Sequence, residues 1–220
     1  MEQAGTAVLG LAALILSVVN GVILVWRFKR DKANISVELV HPEAYQWFFK
    51  LPSGEFEGHP TREYGFLAYI AIKNSGLRDV SINFWHLKLE TSYERFRKYA
   101  SPYSRFMDLS PMSMVEPIIN LGSSGHKKAL PVLGCVGIYH DGNTMVKSGA
   151  SIAGMAYYTA KFYGDSIFNP LFVGGKTRGI IEVKSVFGQK TTVKIEFTEI
   201  SLEKAKSMIE NIDQIDREIA

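Results

Sequence analysis

Three hydrophobic periodicities divide the chain. From Gln3 to Trp26, 24 consecutive residues carry no formal charge, and Val8, Leu9, Leu11, Leu14, Ile15, Leu16, Val18, Val19, Val22, Ile23, Leu24 and Val25 make the run apolar on every side of a helix. At about 1.5 Å per residue this run is long enough for a hydrocarbon core of roughly 30 Å. Past Lys32 the pattern changes to alternation by two, which predicts half-buried strands. From Ser201 onward it returns to helical spacing.

The alternating part supplies the elements of a β domain. Ile181 and Val183 alternate with Glu182 and Lys184, and Val193, Ile195 and Phe197 alternate with Lys194, Glu196 and Thr198, so the Phe187-Gly188-Gln189-Lys190 segment between them reads as a hairpin turn. Phe66, Ala68, Ile70 and Ile72 share one phase, Asn74-Ser75-Gly76 turns the chain, and Val80, Ile82 and Phe84 resume it, predicting a second antiparallel pair. After Phe84 the apolar phase slips to Trp85, Leu87 and Leu89, which predicts a bulge or a strand covered on both faces. Further strands are expected over 35–40, 45–51, 133–139 and 152–162. Strands without alternating helices predict an antiparallel β-sandwich of immunoglobulin-like architecture rather than an α/β fold, although the Cys…Trp…Cys spacing of true immunoglobulin domains is absent.

Two stretches depart from the strand pattern. Tyr93, Phe96, Tyr99, Tyr103 and Phe106 recur every three or four residues with Arg95, Arg97, Lys98 and Arg105 between them, predicting a short helical insertion over 92–109, broken near Ser101-Pro102. In the tail, Leu202, Ala205, Ile209, Ile212 and Ile219 keep a heptad-like spacing. An amphipathic helix of that length needs a surface to pack on.

The chain is thus expected to comprise a short tail (1–5), a transmembrane helix (6–26), a basic juxtamembrane linker (27–33), a β-sandwich domain (34–200) and a C-terminal amphipathic helix (201–220). Leu9, Leu14, Ile15, Val19, Ile23 and Trp26 anchor it in the lipid bilayer. A cleaved signal peptide would call for a positive n-region and a small-x-small cleavage site; this chain starts Met-Glu-Gln and runs from its apolar stretch into Trp26 and Arg27. Arg27, Lys29, Arg30 and Lys32 against Asp31 give the flank a net charge of +3, which places the domain in the cytoplasm and the amino terminus outside. Ala13, Ser17 and Gly21 recur every four residues beside Asn20, a spacing that suits close approach of two membrane helices and hence a homo-oligomer.

Composition adds limits. With 46% hydrophobic and 12% aromatic residues the chain has core material that disordered sequences lack. Its net charge is +3, but the residues from Ala33 onward carry only +1, so the domain lacks the basic surface that duplex nucleic acid needs. No pair among His41, His59, His86, His126 and His140 has helical zinc-site spacing. His140-Asp141 reads as an exposed loop, and Cys135 lies in an apolar run that suits a buried thiol. Gly174-Gly175-Lys176-Thr177 lacks the upstream glycine of a phosphate loop and reads as a turn into a strand.

No catalytic residue, metal site or cofactor is therefore expected. The sequence supports a membrane-anchored, non-catalytic binding or assembly module at the cytoplasmic face, with a membrane-associated protein as partner. The aromatic-basic residues Tyr93, Arg95, Phe96, Arg97, Lys98, Arg105 and Phe106 form its candidate interaction surface. The alternatives are the same build with the domain outside the cytoplasm, or an enzyme whose scattered site leaves no motif.

Overall fold

The computed structural model describes residues 2–91, 106–112, 118–121, 126–133, 145–163 and 169–209. Helix α1 (Glu2–Arg30) leads into β1 (Ile35–Leu39), β2 (Gln46–Lys50), β3 (Glu55–Phe56), β4 (His59–Asn74), β5 (Val80–Glu90), β6 (Phe106–Leu109), β7 (Pro111–Met112), β8 (Ile118–Leu121), β9 (His126–Ala129), β10 (Met145–Val146), β11 (Ser151–Tyr163), β12 (Lys176–Ser185), β13 (Lys190–Glu199) and α2 (Leu202–Met208). Among the described residues this is a mainly-β domain with two helices.

Eleven strands form one sheet in the order β10-β5-β12-β13-β2-β4-β11-β7, with β1 and β3 on β4 and β6 on β5; β8 and β9 make a separate hairpin. The sheet folds over itself like a barrel or sandwich. One layer is built on β5, β12 and β13, the other on β4 and β11, and their inward residues fill one core: Trp85, Leu87, Ile181, Val183 and Phe197 against Phe66, Ile70, Ile72 and Tyr158. Across it, the Phe66 and Phe197 rings meet edge-on at 5.4 Å, and the Tyr158 hydroxyl donates to the Trp85 carbonyl at 3.3 Å. On one side the layers are joined by a short parallel pairing of β13 with β2 (Thr198↔Trp47, Glu199↔Phe48). On the other, β6 pairs with β5 and β7 with β11, so only Ser110 separates strands on the two layers. The expected pair of antiparallel sheets is therefore a single sheet with one parallel seam.

Several expected elements form as read. The β12/β13 hairpin pairs Ile181 with Val193 and Gly179 with Ile195. The slip after Phe84 is a bulge: Lys184 faces Phe84 but Ser185 faces Ile82, leaving Asn83 extra, and the buried phase moves from Val80 and Ile82 to Trp85, Leu87 and Leu89. Gly174 and Gly175 adopt positive φ (58° and 72°) immediately before β12, as the turn reading requires.

Other expectations are corrected. β4 and β5 do not pair with one another; the Asn74–Asp79 segment is an arch that carries the chain from one layer to the other, and β5 pairs instead with β12. Alternation looks the same for a hairpin and an arch, because both strands face the same core. The expected helix over 92–109 does not reach its end: Phe106–Leu109 is strand β6, with Leu109 opposite Leu87 and Phe106 opposite Glu90. Backbone pairing to the edge of β5 outweighs the weak local preference of four residues. The earlier part of that insertion, the strand expected over 133–139 beyond Leu133, and the tail from 210 lie outside the described residues. The described end of the tail packs on the domain. Ser201 caps α2 by accepting from the Lys204 amide, and Ala205, Met208 and Ile209 are buried with Phe49, Leu67 and Tyr157 on the outer face of β4 and β11.

Helix α1 forms over the expected segment, and every described side chain on it, from Ala13 to Phe28, is exposed. Among the described residues no helix is long and apolar enough to cross a membrane. The helix expected over 6–26 forms, but the described residues do not support it as a membrane span.

Candidate functional site

The most specific polar construction in the domain is the junction where α1 meets it. Four residues, Asp31–Asn34, separate helix from strand, and they are gripped rather than free. The Asp31 amide continues the helix by donating to the Arg27 carbonyl at 2.8 Å. Ala33 is buried, and its carbonyl accepts from Gln189 Nε2 at 2.6 Å. The Asn34 carbonyl accepts from the Ser75 amide at 2.9 Å, while Asn34 Nδ2 donates to Ser75 Oγ at 2.8 Å. Gly76 lies so close that a Cβ there would stand 2.2 Å from the Lys32 carbonyl oxygen and 2.6 Å from Ala33 Cα. No side chain fits in that gap.

Asn74 organises this end of the fold. It is 1% exposed. Its Oδ1 accepts from the amides of Asn34 (3.2 Å) and Gly76 (3.0 Å), and its Nδ2 donates to the carbonyls of Arg78 (2.7 Å) and Val146 (3.1 Å). One side chain thereby ties the helix exit to the β4–β5 arch and to β10. Ser148 completes the frame: its amide donates to Asp79 Oδ1 and its hydroxyl to the Gly76 carbonyl. Residues 27–33, expected as a linker, therefore end in a fixed joint.

Around this joint stand three loops, 75–79, 145–150 and 186–189, two of which, 75–79 and 186–189, carry exposed apolar side chains at their tips. Leu77 is 53% exposed, Val186 61% and Phe187 75%. The β12–β13 turn is closed by the Gly188 amide on the Ser185 carbonyl, with Gly188 at φ 80°, which holds Val186 and Phe187 at the apex. Val186, Phe187 and Met145 line one shallow hollow with Asp79.

Charged pairs cover the outer face of the β5–β12–β13 layer. Glu182 receives Lys88 at 3.0 Å and Lys190 at 3.6 Å. The hydrogen bond from Lys88 holds the Glu182 carboxyl below its ordinary value of 4.5, against the opposing effect of burial, and the same bond raises Lys88. A carboxylate with a lowered folded value stabilises the fold above its unfolded value and loses that contribution as pH falls through the folded one. Glu182→Gln is therefore expected to lower the urea midpoint at neutral pH, with the gap from the parent closing in acid below 4.5; a gap unchanged with pH would show that the pair contributes nothing through charge. At the end of this face remote from α1, a groove of about 590 Å³ is lined by Leu39, Pro42, Glu90, Phe106, Arg178 and Glu196 among others. Glu196 there is held below its ordinary value first by Lys176 (2.7 Å) and then by Arg178 (3.1 Å).

The sequence candidates fall as follows. Leu14, Ile15, Val19, Ile23 and Trp26 are exposed along α1, as are Ala13, Ser17, Asn20 and Gly21, and Leu9 lies in the same helix. Lys32 Nζ stands 5.0 Å from the centre of the Phe28 ring, and Arg27 is exposed; Lys29 and Arg30 end the helix. Tyr93, Arg95, Phe96, Arg97, Lys98 and Arg105 lie outside the described residues; the described flanks of that segment, Thr91 and Phe106, stand at the end of β5 away from α1. His140, Asp141 and Cys135 also lie outside them. His86 stacks on Phe84 at 4.3 Å within β5. Among the described residues no group of His, Cys, Asp or Glu could hold a metal ion. Sequence reasoning missed the Asn74 joint and the Val186–Phe187 apex; the signal present was an apolar pair at a turn, where polar residues are usual.

No family model and no curated protein matches the chain. Among solved structures, the Northeast Structural Genomics Consortium target SoR45 matches with a TM-score of 0.28 and 9% identity, covering 77% of this chain and 88% of that one. The putative ApaA protein from Bordetella pertussis matches at 0.26 and 12%, covering 76% and 93%. The archaellum periplasmic stator protein FlaG from Sulfolobus acidocaldarius matches at 0.24 and 9%, covering 68% and 99%. Likenesses at these scores carry no argument about fold or function.

Proposed function

We propose that the chain is a single-pass membrane protein in which α1 crosses the bilayer over residues 6–26 and holds the β domain at the cytoplasmic face as a non-catalytic binding or assembly module. The observation that carries this reading is the helix α1, on which nine Leu, Ile and Val side chains between Leu14 and Val25 are exposed, inside a run of 24 uncharged residues. A water-exposed apolar surface of that extent calls for a cover, and lipid suits a helix that is apolar all round. The cations from Arg27 to Lys32 set the orientation. The small-residue stripe Ala13, Ser17, Gly21 is open to a second copy of the helix.

Restriction to the membrane plane raises the effective concentration of the domain for a membrane-associated protein partner. The far end of the domain, where the flanks of segment 92–105 meet the groove beside Phe106 and Arg178, is the face left for that partner.

Alkaline carbonate treatment of native membranes is expected to leave the full chain in the pellet, and a reporter fused after Ala220 is expected to read cytoplasmic. Neutralising Arg27, Lys29, Arg30 and Lys32 together is expected to give mixed orientation. Recovery of the chain in the carbonate supernatant would overturn the anchor, and an external reporter signal from the parent would overturn the orientation.

A further inference from the structure

We infer that the loop rim around the α1 joint is a second membrane contact, which seats the domain on the anionic headgroups of the same bilayer with Val186 and Phe187 dipped below them. The inference rests on the anchor reading above, and three observations support it.

Geometry comes first. The joint is short and gripped from three sides, by Gln189 on Ala33, by Ser75 on Asn34 and by Gly76 against Lys32. Four residues of extended chain reach at most about 14 Å. A domain held this closely to the end of a membrane helix has its joint loops at the headgroup level, and those loops are 75–79, 145–150 and 186–189.

The second observation is chemical. The most exposed large apolar residues on these loops, Leu77, Val186 and Phe187, surround the joint rather than face a neighbouring element. An apolar tip ringed by cations is the composition of an interfacial contact, where the ring enters the acyl boundary and the cations meet phosphate.

Charge supplies the third. The helix flank 27–34 with segments 75–79, 145–150 and 186–190 carries seven cations (Arg27, Lys29, Arg30, Lys32, Arg78, Lys147 and Lys190) against Asp31 and Asp79, a net +5. The whole chain is +3, so everything else sums to −2. Positive charge is concentrated at the end that an anionic leaflet would attract; of the three domain cations in this set, Lys190, the first residue of β13, also reaches Glu182, while Arg78 and Lys147 lie on the loops themselves.

The test uses the full chain reconstituted into phosphatidylcholine vesicles with and without about a third phosphatidylserine, which supplies the anionic surface. An environment-sensitive fluorophore is attached at Phe187→Cys, or separately at Ser53→Cys near the opposite end, each with Cys135→Ser. The emission at position 187 is expected to shift to the blue in anionic vesicles and less in neutral ones, while position 53 reads water in both. Arg78→Gln with Lys147→Gln, both exposed, is expected to lower the ratio of shielded to unshielded label by roughly fivefold for each cation. If the chain floats with the vesicles and resists carbonate but position 187 reads water in anionic vesicles, the rim proposal is overturned and the anchor stands. If the chain does not float, the anchor falls and takes the rim with it. Shielding equal in both lipids that rises with the protein-to-lipid ratio would identify a second copy as the occupant and overturn the lipid assignment.

Discussion

Asn74→Ala is expected to destabilise the domain by about 3 kcal/mol or more, a large share of the 5–15 kcal/mol that holds a typical domain folded. The substitution leaves two amides, of Asn34 and Gly76, and two carbonyls, of Arg78 and Val146, without their partner at a site that is 1% exposed. Each orphaned buried group costs about 1–3 kcal/mol, and water entering at the arch offsets part of the sum. Asn74→Asp is no remedy, since it aims an anion at two carbonyl oxygens. Ser75→Ala, which removes exposed bonds at the same joint, serves as the contrast and is expected to stay below about 1 kcal/mol. Equilibrium unfolding in urea measures the difference, and amide exchange at Asn34 and Gly76 locates it. A loss for Asn74→Ala no larger than for Ser75→Ala would show that the helix exit is not held by this side chain.

Trp85→Ala is expected to cost about 3–5 kcal/mol, the range for truncating a large buried aromatic. Trp85 is 1% exposed, lies just past the bulge of β5, and presents its carbonyl to the Tyr158 hydroxyl of the opposite layer. The cavity would open in the core between two layers whose edges are tied by the β13–β2 pairing, the Phe106–Met112 crossing and the Asn74 joint, which limits collapse around it. The urea midpoint should fall with the slope unchanged. A loss under about 1 kcal/mol would mean that the two layers do not enclose Trp85.

These two residues differ in how far the sequence announced them. Trp85 was visible as part of an apolar phase that slips by one, and the slip correctly foretold a bulge, because burial on a pleated strand leaves a period-two record in the sequence. Asn74 was visible only as a turn residue. Its four partners come from residues up to 72 positions away, and no local pattern encodes where a buried amide will find them. Phe106 shows the opposite failure: helical spacing with its neighbours was real in the sequence, yet pairing with Glu90 made it a strand residue. Likewise the Val186–Phe187 turn was legible as a turn, while its place beside the helix exit was not.

What the sequence by itself determined is whatever depends on residues near one another: the apolar helix and its basic flank, the strands and their faces, the hairpin of β12 with β13, and the helical spacing that begins at Ser201. What only the tertiary structure decided is whatever depends on which layer a strand joins. The β4–β5 arch, the parallel seam of β13 with β2, and the gathering of three separated loops and the α1 exit around Asn74 are of this kind. Alternation fixes which side of a strand faces the core but not which neighbour it meets there, because every inward residue of every strand satisfies the same hydrophobic condition. Partner choice is made by the summed packing and hydrogen bonding of the whole sheet.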